Sequence, residues 1–165
     1  MEIDEIHNEL VDALFSFADK FNYITNIIST YENPNKLNKS QKNLLIFYYF
    51  VDRCILDELK FLFIGNKYGF KINKSFSKCI KLWGAIELSK YIDNLLNICE
   101  KYKLEIKEES KKKLWCFSPK LKILFNEFSE INGKILGIIE NEVEIICKYI
   151  KENIEIFEII RTNDI

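Results

Sequence analysis

Apolar positions recur along this chain at helical spacing, and no stretch alternates as a half-buried strand would. Ile3, Ile6, Leu10, Leu14, Phe17, Phe21, Ile24 and Ile28 lie three or four residues apart. A long amphipathic helix over residues 1–31 puts all eight on one stripe. Asn33-Pro34 ends it, because the residue before proline is driven out of the α region. After a polar loop, Asn38 or Ser40 caps a second helix expected to reach Phe63. Leu44, Leu45, Phe47, Tyr48, Phe50, Val51, Ile55, Leu59 and Leu62 make it apolar almost all round, which predicts a central, buried helix.

The pattern then breaks at a turn, Gly65-Asn66-Lys67-Tyr68-Gly69, where glycine tolerates positive φ. Asn73 or Ser75 caps a short helix through Trp83, with Gly84 as its stop. A further helix runs from Ala85 to Tyr102, with Leu88, Tyr91, Ile92, Leu95, Cys99 and Tyr102 facing inward. The charged segment from Lys103 to Phe117 loses the periodicity and reads as a loop, with a frayed extension of the preceding helix as the alternative. Ser118-Pro119 restarts the helix, Ser as N-cap and Pro at the first helical position. Two helices are expected beyond it, one to Ile131 and one from Lys134 to Arg161 with a break near Asn153. The prediction is an all-α, single-domain bundle of about six helices over residues 1–165. Phe47, Phe50, Val51, Ile55, Trp83, Leu95 and Ile146 are its expected core.

Composition agrees with this reading and narrows it. A chain of 165 residues, 48% apolar and 30% charged, is large enough to bury a core and too apolar for disorder. Five Gly and two Pro leave little material for the turns of a sandwich or barrel. The longest apolar run, Leu44 to Val51, cannot span a bilayer. The acidic start, Glu2, Asp4 and Glu5, is the opposite of a signal or transit peptide. A cytoplasmic chain without a membrane partner is expected. With 27 Ile, 22 Lys and 16 Asn against two Arg, the bias reflects AT-rich coding, so Lys over Arg carries little meaning.

Catalytic chemistry finds few of its residue types here. Cys54, Cys79, Cys99, Cys116 and Cys147 are odd in number, none forms a CxxC pair, and His7 is the one histidine. Zinc needs clustered Cys and His ligands, and a Cys or Ser nucleophile needs an adjacent base. The cysteines read as small core hydrophobes in a reducing compartment. The acid pairs Asp57/Glu58 and Glu108/Glu109 are sequence neighbours, which a helix points about 100° apart rather than at each other. Neither catalytic residues nor a metal or cofactor are expected.

Charge is unevenly placed. Residues 1–33 carry a net −6, residues 34–125 a net +10, and residues 126–165 a net −5. Glu2, Glu5, Glu9, Asp12 and Asp19 share one side of the first helix, and Lys20 lies outside that stripe. The stripe either docks on the chain's own basic middle or faces a basic partner. Five charges over about 25 Å only sparsely imitate duplex DNA, with its charge every ~1.7 Å of axis. Imitation would need a second protomer or the C-terminal acids. The Lys-rich middle, including Lys111-Lys112-Lys113 beside Trp115 and Phe117, offers the alternative of a nucleic-acid-binding helical protein.

From Ser40 to Phe157 the chain resembles the family of DNA-mimic protein nineteen. The likeness lies in Asn66-Lys67-Tyr68-Gly69 with Phe76 to Ala85 (its Trp83-Gly84 included), and in Glu87-Leu88-Ser89-Lys90-Tyr91-Ile92. It continues through Phe125-Asn126-Glu127-Phe128, Tyr149-Ile150-Lys151-Glu152-Asn153 and Phe157. The resemblance implies an all-α, non-enzymatic protein, able to form a homodimer and to occupy another protein's active or DNA-binding face. Together with the acidic stripe, this predicts an inhibitor that covers the functional surface of a protein partner. That partner is expected to be a basic DNA-binding regulator, or a toxin for which the chain is the immunity protein.

Overall fold

Helix signals in the sequence become helices wherever a cap and an apolar stripe coincide. The computed structural model describes residues 17–64, 72–109 and 118–159. Among the described residues the protein is all-α, without strands. The elements are α1 (17–28), a 3-10 turn at Pro34–Lys36, α2 (Lys39–Ile55), α3 (Lys60–Ile64), α4 (Lys74–Leu82), α5 (Ile86–Lys101), α6 (Lys103–Glu109), α7 (Pro119–Glu152) and α8 (Ile154–Phe157). This is a larger number of shorter pieces than the six expected, except at α7.

Side-chain caps open three of the α-helices. Asn38 accepts the Gln41 amide while the Gln41 side chain accepts the Asn38 amide, a reciprocal capping box for α2. Asn73 accepts the amides of Ser75 and Phe76 at the start of α4, and Ser118 accepts that of Leu121 at the start of α7. The N-terminal helix stops at residue 28 instead of 31, where Ser29 and Thr30 donate their hydroxyls to the Asn26 and Ile27 carbonyls. Asn33-Pro34 opens the 3-10 turn that follows.

Three further boundaries depart from expectation. Helix α2 ends at Ile55 rather than Phe63. Asp57 adopts φ 53°, and the Asp57 and Glu58 amides donate back to the Cys54 and Arg53 carbonyls. This is a Schellman stop with aspartate where glycine is usual. Ile55 is consequently 52% exposed and not in the core. Second, Lys103–Glu109, expected as a loop or a frayed extension of the preceding helix, is a short helix of its own after Tyr102. Ile106 packs on the core, and Glu105 is paired with Lys120 of α7 at 3.3 Å. Third, the two helices expected between Ser118 and Arg161 are one helix of 34 residues that passes through Asn132-Gly133. Asn132 is buried and donates to the Cys54 carbonyl of α2 at 2.9 Å. A tertiary bond thus holds the helix where local propensity would weaken it. The expected break at Asn153 is present.

One apolar cluster runs through the molecule. Phe47, Phe50 and Val51 of α2, Trp83 after α4, Leu95 of α5 and Ile146 of α7 are all buried in it, as expected. Helix α5 packs between α4 and α7, and α2 lies against α7, α8 and α4. The last carbonyls of α8 are collected by the N-terminal part of the chain. Tyr31 and Gln41 donate to the Phe157 carbonyl, and Asn38 donates to that of Ile156.

Candidate functional site

Of the acidic stripe, Glu2, Glu5, Glu9 and Asp12 lie outside the described residues, as does His7. Asp19 is described and is exposed on α1. No carboxylate–lysine pair ties it to the chain's own basic middle among the described residues. Its neighbour Lys20 behaves differently. The apolar side of α1 (Phe17, Phe21, Ile24, Ile27, Ile28) turns onto the core, and Lys20 reaches Glu144 at 2.9 Å and Glu140 at 3.8 Å, both on α7. The Glu144 hydrogen bond raises the Lys20 pKa above its ordinary value. The Cys147 thiol donates to the Lys20 carbonyl at 3.4 Å. Helix α1 is therefore seated along α7 with Asp19 outward, and two α7 carboxylates stand beside it.

The basic middle does not act as one surface. Lys101 pairs with Glu127, Lys103 with Glu100, and Lys120 with Glu105. Arg53 binds Asp52 and Glu58. By contrast, Lys39 and Lys42 at the start of α2, and Lys74, Lys78 and Lys81 of α4, are exposed and have no carboxylate partner among the described residues. Helix α4 contains no acid at all. Lys111 to Phe117 lie outside the described residues.

Three of the thiols, those of Cys54, Cys79 and Cys147, are held in their protonated form. Burial pushes Cys54 up to about 12 and Cys147 up to about 11, and it raises Cys79 as well. A thiol is a poor nucleophile until it ionises. Among the described residues no three His, Cys, Asp or Glu side chains converge as metal ligands. No described helix is long and apolar enough to cross a membrane.

No family model, curated protein or solved structure matches the chain. The fold gives several of the motif residues singled out in the sequence a packing role. Trp83 stacks on Tyr149 with ring centroids 6.3 Å apart and meets Phe157 edge-on at 5.6 Å. Gly84, at φ 93°, ends α4, and the Gly84 and Ala85 amides donate back to the Lys81 and Ile80 carbonyls. Asn66 to Gly69 lie outside the described residues.

Among the buried polar residues, two on α7 escaped the sequence reading. Glu142 and Asn132 stand on the same face of α7 as Leu121, Leu124, Phe128, Ile135, Ile139, Ile146 and Ile150. The legible signal was a polar residue at a core position of an otherwise apolar stripe. A third, Asn43, is buried in the first turns of α2.

Proposed function

We propose that this chain is a non-enzymatic helical protein that inhibits a partner protein by covering the partner's basic functional surface. The contacting face in this reading is the acidic set Glu2, Glu5, Glu9, Asp12 and Asp19, whose spacing in the sequence suits one side of a helix. The observation that carries this reading is the split between Asp19 and Lys20. The lysine is drawn onto Glu140 and Glu144 of α7, while Asp19 is left exposed. A DNA-binding regulator or a basic toxin fits such a face, since long-range attraction between opposite charges speeds encounter. The raised pKa values of Cys54, Cys79 and Cys147 disfavour these three thiols as nucleophiles.

The test compares the wild type with the triple variant Glu5→Gln, Glu9→Gln, Asp12→Asn, which keeps shape and removes three charges. A partner is captured from the host lysate with the wild type, and association rates of both proteins are measured against salt. The expected result is an unchanged melting temperature and slower association of the variant at low salt, with the difference vanishing as salt screens it. A destabilised variant that associates at the wild-type rate would overturn the reading and assign the stripe to the chain's own lysines.

A further inference from the structure

We draw no further inference here: the strongest candidate, the open face in the middle of α7 formed by Gly133 and Gly137 with the exposed Leu136, is a small-residue stripe, and nothing among the described residues shows what covers it.

Discussion

The Glu142 carboxylate accepts a hydrogen bond from the Leu88 amide at 3.1 Å, joining α7 to the first turn of α5 across 54 positions of sequence. Helix α5 needs this bond. Its N-cap is Ala85, which has no side-chain acceptor, so one of the orphan amides of the first turn is met from another helix. A carboxylate there also faces the positive end of α5. Burial raises the Glu142 pKa, the Leu88 hydrogen bond lowers it, and the nearby Glu87 raises it, leaving it above the ordinary glutamate value.

Linkage follows with a definite sign. A glutamate whose pKa is higher in the folded state favours folding when protonated. That contribution is complete below the unfolded pKa and is lost as pH rises through the folded pKa. Glu142→Gln keeps an acceptor for Leu88 and removes the buried charge, so its stability should vary less with pH over this window. Glu142→Ala removes the acceptor and should cost about 1–3 kcal/mol. Urea unfolding from acid to neutral pH measures both, and a steeper pH dependence for Glu142→Gln would contradict the assignment.

Trp83 is 2% exposed and shares its contacts with Tyr149 and Phe157. Truncation to Ala leaves a cavity between α4, α7 and α8, and should cost roughly 3–5 kcal/mol. A loss below about 1 kcal/mol in equilibrium unfolding would be incompatible with a buried indole.

The two Schellman stops predict opposite responses to glycine chemistry. Gly84 has φ 93°, and a Cβ there would lie 3.1 Å from Ile145 Cγ2, so Gly84→Ala should destabilise by about 1–2 kcal/mol. Asp57 occupies the same left-handed position at φ 53° with a Cβ already present. Asp57→Gly should therefore stabilise by about 0.5–1 kcal/mol, less whatever its exposed hydrogen bond from Ser129 contributes. Thermal melts of the pair should shift in opposite directions.

Asn132 ties the middle of α7 to the end of α2 through the Cys54 carbonyl. Asn132→Ala deletes that buried donor and should cost about 1–3 kcal/mol. Amide hydrogen exchange should show the loss concentrated around Asn132-Gly133 and the α2 terminus. Exchange unchanged there would mean that the helix holds its middle without the bond.

The sequence alone determined that the described residues are helical, where α2, α4, α5 and α7 begin and which apolar residues are buried, Ile55 excepted. Those properties follow from local caps and from a period near 3.6, which act over a single turn. Asn38, Asn73 and Ser118 are caps of this kind, and the stripe through Phe47, Phe50 and Val51 is local in the same way. Of the candidate face, sequence gave the spacing of the acids, and the described fold shows Asp19 outward with Lys20 drawn aside. Only tertiary structure decided the rest. Ile55 is exposed because α2 stops at an aspartate in a conformation usually left to glycine. Helix α7 runs through Asn132-Gly133 because a distant carbonyl binds Asn132, and α5 starts at an alanine because Glu142 caps it from another helix. Each of these depends on a hydrogen bond or a packing surface supplied from far along the chain, and a local window of sequence contains no record of such a partner.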